Sequence, residues 1–262
     1  MSYVSEFEQS SSGAPQQESS TLRRWLPFGR TAARPRIRLL CFHHAGGNAL
    51  VYRSWGKALP DWLDVCPVQL PGRGARIAEP PFTDMRDMVA GFAHDAASLF
   101  DRPLALFGHS MGAAVAFALA QRLGSQVVHV FAAARAAPSE PYSQGLRDLD
   151  DASLIRYLAK LGATPPIVFQ EPELLAHVLT VLRADMTLNN SYRNDRQLAT
   201  TPLTVLGGTA DCELPPQALE RWRSLTAGRF QCVMFPGDHF FLSSCLPDVH
   251  RLIVESLEGA AP

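Results

Sequence analysis

Leu104-Ala105-Leu106-Phe107-Gly108-His109-Ser110-Met111-Gly112-Ala113-Ala114 decides how the rest of the chain is read. A short apolar run meets Gly-x-Ser-x-Gly, and a helix-forming run, Val115 to Ala120, follows it. The order strand, sharp turn, helix is the setting of a nucleophile elbow. The serine is expected at the tip of the turn, in strained backbone. Gly108 and Gly112 have no Cβ, so strand and helix can approach closely around it. Its hydroxyl then projects above the sheet edge, at the positive end of a helix. The competing reading, a glycine-rich turn around a buried serine, leaves the motifs below as coincidence.

On either side of this stretch, apolar strand runs alternate with helical spacing. Ile37 to Phe42, Leu63 to Gln69, Val127 to Ala133, Leu203 to Leu206 and Phe230 to Phe235 read as buried strands. Val51 to Leu59, Asp84 to Phe100 (with Thr83 as N-cap) and Pro247 to Leu257 read as helices. Such alternation predicts an α/β fold with a mostly parallel sheet flanked by helices. From about Pro138 to Thr201 strand signals vanish, and two helical patterns remain, Ala152 to Leu161 and Glu171 to Asn189. That segment, about 138–201, is expected to be a helical lid inserted in the domain, with Val178 and Val181 on its apolar side. Residues 1–24 are expected to form a disordered tail, because the first 21 are rich in Ser, Gln and Glu and have little to bury. Leu22 to Phe28 is more apolar and is expected to dock on the edge of a domain spanning 25–262.

Catalytic groups in open α/β sheets collect at the carboxyl ends of strands. Ser110, Asp211 and His239 each follow a strand, in the order nucleophile, acid, base. His239 is expected to take the proton of Ser110, and Asp211 to orient the imidazole. His43-His44-Ala45-Gly46-Gly47 leaves the first strand, and its glycine pair lets backbone N–H groups turn to a common point. The N–H groups of Ala45 and Met111 are the expected oxyanion hole. Rivals are weaker: His94, His129, His177 and His250 fall inside helix or strand patterns, and Asp238 adjoins His239 too closely to orient it. No metal is expected at His43-His44, since no carboxylate or cysteine stands at ligand spacing, and no cofactor is expected. His44 is expected at the pocket mouth.

Composition bounds the partners. A net charge of −1 gives no nucleic-acid footprint. No apolar run is long enough to span a membrane, and the acidic start, with Glu6 and Glu8, is unlike a signal peptide. Five cysteines without metal spacing suit reduced thiols in a cytoplasmic protein.

Five blocks together resemble one family. Phe42-x-His44-Ala45-Gly46-Gly47, Gln69-Leu70-Pro71-Gly72-Arg73, Gly108-His109-Ser110-Met111-Gly112-Ala113, Gly207-x-x-x-Asp211 and Gly237-Asp238-His239-Phe240-Phe241 are similar to the stand-alone type II thioesterases of non-ribosomal peptide and polyketide synthases. The resemblance implies an α/β-hydrolase fold with a lid. It also implies hydrolysis of acyl groups from the phosphopantetheine thiol of acyl or peptidyl carrier domains, often to clear stalled ones. A monomer is expected. The acid after the Leu203 strand suits type II enzymes better than many integrated releasing domains. One departure is His43, where the family usually has proline. Two other readings stay open: a general esterase or medium-chain acyl thioesterase acting on free small molecules, and a non-catalytic carrier-binding scaffold.

Overall fold

The computed structural model describes residues 20–28, 35–139, 150–162, 164–194 and 196–259. Six strands form one fully parallel sheet: β1 (Ile37–Phe42), β2 (Leu63–Val68), β3 (Leu104–His109), β4 (Val127–Ala133), β5 (Leu203–Gly208) and β6 (Phe230–Phe235). Their spatial order is β2-β1-β3-β4-β5-β6. The chain moves outward from β1 to β2, then returns across β1 to lay down β3. The direction of winding therefore reverses between β1 and β3, and a crevice opens there at the carboxyl ends of the strands.

Both faces of the sheet are covered, which explains why the strands read as continuous apolar runs rather than alternating ones. Leu40, Phe42, Leu104, Leu106, Val130 and Ala132 pack on one side with α3 (Met85–Asp95) and α4 (Met111–Leu123). Leu39, Cys41, Ala105, Phe107, Phe131 and Ala133 pack on the other with α2 (Trp55–Ala58) and α9 (Leu246–Leu257). The first ten residues of α4 are all buried. Its alanines permit that, because a helix without long side chains can sit close against the sheet.

Boundaries differ from the sequence expectations in instructive places. The first helix, α1, begins at Ser20 (Ser20–Trp25), and Leu22, Trp25 and Leu26 are buried, so the docked chain starts inside the expected 1–24 tail. Trp25 Nε1 donates to Asp95 Oδ2 at 2.8 Å, and the Arg76 guanidinium stacks over its ring. Residues 1–19 lie outside the described residues. Asp84, not Thr83, caps α3, accepting the N–H groups of Arg86 and Asp87. The expected 51–59 helix is a 3-10 turn, Ala49–Tyr52, followed by the short α2. Between β4 and β5 lie α5 (Asp151–Leu161), α6 (Pro166–Gln170) and α7 (Pro172–Ser191). The five-residue α6 is too short to show helical periodicity. Residues 140–149 of that segment lie outside the described residues. α8 (Pro216–Glu220) follows β5.

Candidate active site

Ser110 stands between β3 and α4 with φ 56° and ψ −116°, in the left-handed half of φ space that non-glycine residues rarely adopt. Its backbone is over-determined from both sides: its N–H donates to the Ala133 carbonyl at 2.8 Å and its carbonyl accepts the Ala113 N–H at 2.9 Å. The flanking glycines are required by space. A Cβ on Gly108 would lie 2.0 Å from the Gly112 carbonyl oxygen, and one on Gly112 would lie 2.1 Å from the Phe42 carbonyl oxygen. Strand, helix and the end of β1 therefore converge on the serine only because both positions lack a side chain.

Asp211 and His239 arrive from the loops after β5 and β6. Asp211 Oδ2 accepts from His239 Nδ1 at 2.8 Å, and both side chains are buried. Asp211 Oδ1 accepts the Glu213 N–H at 2.9 Å, which holds the carboxylate plane. With its proton on Nδ1, neutral His239 keeps a lone pair on Nε2 for a neighbouring hydroxyl. His239 and Ser110 line the same cavity. The rival acid is spent elsewhere: exposed Asp238 accepts the Phe240 N–H at 2.8 Å within its own turn. The rival histidines are structural. His129 bonds to Thr204 Oγ1, His177 donates to the Gly72 carbonyl, and His250 packs edge-on against Trp55.

The loop after β1 lies across the crevice from the elbow. The N–H groups of Ala45 and Met111 have no acceptor among the described residues, so both are free to donate. His44 lines the cavity beside Ala45 and packs edge-on against His109 and Phe240. Burial first, then the neighbouring His239 and Arg73, lowers His44 to about 4. His109 lies well below its ordinary value, again mainly through burial and then through His239 and His44. Both rings therefore stay neutral near pH 7. His43, the departure from the family's usual proline, is fully buried and donates from Nδ1 to the His44 carbonyl at 2.8 Å, which closes the loop locally.

The cavity measures about 30 Å³ and is closed by Tyr157 and Leu158 of α5 and by Leu182, Met186 and Asn189 of α7. Val178 and Val181, expected on the apolar side of the lid, do not line it. Helical spacing identified the buried stripe of α7, but not which part of that stripe meets the cavity. A small apolar cluster of Leu154, Leu158, Leu179, Leu182 and Met186 joins α5 to α7.

Sequence reasoning missed two buried polar contacts along α7. Asp185 pairs with Arg73, and Asn189 Oδ1 accepts from Arg135 Nε at 3.0 Å. A charged residue inside a helix ordinarily reads as solvated. The available signal was spacing: Asp185 and Asn189 lie four apart, on the same face as Leu182.

The thioesterase-domain family matches residues 37–257. LgrE, the linear gramicidin dehydrogenase of Brevibacillus parabrevis, is 38% identical over 245 residues, covering 90% of this chain and 93% of that protein. GrsT, the gramicidin S biosynthesis protein of Aneurinibacillus migulanus, is 37% identical over 230 residues, covering 85% and 90%. The solved structure of BorB, a type II thioesterase from the borrelidin biosynthetic cluster, superposes with a TM-score of 0.77 at 32% identity, covering 89% of this chain and 98% of BorB. Matched from its first strand to its last helix and built on the same fold as BorB, the chain belongs to the thioesterase family, as a type II thioesterase of α/β-hydrolase architecture.

Proposed function

We propose that this protein hydrolyses acyl groups from the phosphopantetheine thiol of carrier domains in a non-ribosomal peptide or polyketide synthase, and so clears stalled chains. The carrying observation is the Asp211–His239 hydrogen bond, 2.8 Å long, with the base opening onto the cavity that holds strained Ser110. The carrier-bound substrate is supported by similarity to GrsT, named for gramicidin S biosynthesis, and to BorB, a type II thioesterase from the borrelidin biosynthetic cluster.

In the first half-reaction the Ser110 hydroxyl attacks the thioester carbonyl while His239 Nε2 takes its proton. Asp211 stabilises the imidazolium, and the N–H groups of Ala45 and Met111 receive the negative oxygen. Collapse breaks the carbon–sulfur bond, the proton on His239 passes to the departing thiol, and an acyl-serine remains. Water then attacks that ester with His239 as base. The acid leaves and Ser110 regains its proton.

A cavity of about 30 Å³ holds roughly two water molecules and no acyl chain. The wall formed by α5 therefore parts from α7 to admit substrate, which opens the small apolar cluster between them and the exposed Arg183–Asp151 ion pair.

The test is steady-state kinetics on one acyl group presented by a carrier domain, by coenzyme A and as a p-nitrophenyl ester, with Ser110→Ala as control. Higher kcat/KM on the carrier is expected, because contacts remote from the carbonyl orient it. Equal values on carrier and coenzyme A would leave a general esterase or medium-chain thioesterase. Turnover retained by Ser110→Ala would overturn the assignment of the nucleophile.

A further inference from the structure

The loop that carries the Ala45 N–H is gripped from behind by the helical insertion. Asp185, in the buried stripe of α7 between the cavity-lining Leu182 and Met186, accepts the Gly46 N–H on Oδ2 at 2.7 Å. The same carboxylate takes a two-pronged contact from Arg73, NH1 to Oδ2 at 2.6 Å and NH2 to Oδ1 at 2.7 Å. Arg73 also donates from NH1 to the Gly47 carbonyl at 3.2 Å and from Nε to the Pro71 carbonyl at 3.1 Å. Both charged side chains are buried, Asp185 at 1% exposed and Arg73 at 6%.

This arrangement is costly as a means of stability. Withdrawing a carboxylate and a guanidinium from water is compensated only when every hydrogen bond is well made, and apolar replacement of such pairs is often neutral. Its use lies in what it touches. The Gly46 N–H belongs to the peptide that follows Ala45, and the Gly47 carbonyl lies two peptides further along; the pair holds both. Gly46 has φ +73°, a conformation in which a glycine peptide is otherwise free to turn over. An oxyanion donor contributes only if it is aimed before the reaction begins.

We propose that Asp185, clamped by Arg73, is a positioning residue that aims the Ala45 N–H into the oxyanion hole. Because Asp185 belongs to α7, the hole is complete only while α7 sits on the sheet domain. On this view α7 is a stationary wall that builds the site, and access opens on the α5 side. The inference rests on the assignment of Ala45 as oxyanion donor and of Ser110 as nucleophile.

The experiment uses the full chain and four variants: Asp185→Asn, Asp185→Ala, the double replacement Arg73→Met with Asp185→Leu, and Ser110→Ala. The double replacement removes the buried charges together and keeps bulk. Asp185→Asn keeps an acceptor for Gly46. For each variant three quantities are measured: the active fraction by fluorophosphonate titration of the serine, kcat and KM on an acyl N-acetylcysteamine thioester, and Ki for the matching trifluoromethyl ketone, which binds as a tetrahedral oxyanion. Loss of one oxyanion donor lowers kcat by about 10²- to 10³-fold. A fall of about 10²-fold per active site is expected for the double variant and for Asp185→Ala, with KM changed by less than about threefold and Ki weakened in step with kcat. Asp185→Asn should lose less than about tenfold, with Ki again following kcat. A purely structural role would lower the active fraction and leave kcat per site and Ki unchanged, and that result overturns the proposal. If the double variant does not fold, the parallel change of kcat and Ki in Asp185→Asn and Asp185→Ala decides alone. Turnover in Ser110→Ala would instead bring down the site assignment itself, while an inactive Ser110→Ala beside a fully active double variant would reject only the role of Asp185.

Discussion

His109 Nε2 lies 2.8 Å from the carbonyl oxygen of His239, so the residue just before Ser110 holds the loop that carries His239. A carbonyl can only accept, so the His109 proton sits on Nε2. The low proton affinity that burial imposes on this ring keeps it a neutral donor.

From that contact follows the first prediction. His109→Phe removes the donor and leaves a buried carbonyl unpaired, so the loop bearing His239 loses its anchor. We expect kcat to fall by about tenfold or more, with a smaller change in KM. His109→Gln, which retains a donor, should recover most of the loss. Equal kcat in wild type and His109→Phe would show that the base is held by Asp211 alone.

Asp211→Asn should reduce kcat by about 10⁴-fold, because an amide presents the wrong partner to the His239 Nδ1–H and favours the other tautomer. Asp238→Asn should change it by less than about threefold, since an asparagine oxygen can accept the Phe240 N–H as the aspartate does. Circular dichroism with both rate measurements checks the pair. A larger loss for Asp238→Asn would reassign the acid.

The cavity-lining residues define a test of the lid. Met186→Ala enlarges the space beside Ser110 and should shift the acyl-chain preference toward longer or bulkier groups, with little effect on p-nitrophenyl acetate. Val181→Ala, which removes a buried side chain that does not line the cavity, should cost about 1 kcal/mol or more in stability and leave the preference unchanged. A matched series of thioesters, with thermal melting in parallel, separates the two. A changed preference in Val181→Ala alone would show that the open state exposes a different face of α7.

The pH dependence of stability has a definite sign. Burial, and Arg229 to a lesser degree, lowers His129 from its ordinary 6.5 to about 4, and His43, His44 and His109 are lowered in the same direction. Below about pH 6.5 the unfolded chain takes up protons that the folded chain refuses, so stability is full above that value and declines as pH falls toward about 4. Melting temperature should therefore drop over this window. His129→Gln keeps a partner for Thr204 and removes one titrating group, so its melting temperature should fall less steeply. A slope identical to wild type would show that His129 is protonated in the folded state.

Much of this protein is determined locally and could be read from the sequence. Each strand is a short apolar run ended by glycine, proline or a polar cluster, and Gly108-His109-Ser110-Met111-Gly112 carries its own geometric necessity, because no side chain fits at either glycine. The order Ser110, Asp211, His239 after three separate strands implied a meeting point, since parallel strands deliver their carboxyl ends to one edge. What the tertiary structure alone decided concerns partners far apart in the chain. Arg73 and Asp185 are 112 residues apart, and no periodicity connects a turn after β2 to the interior of α7. Spacing tells which face of a helix is buried, not what it is buried against. For that reason the sequence marked Arg73 only as part of a motif and passed over Asp185. It also chose Val178 and Val181 where the fold turned Leu182 and Met186 toward the serine.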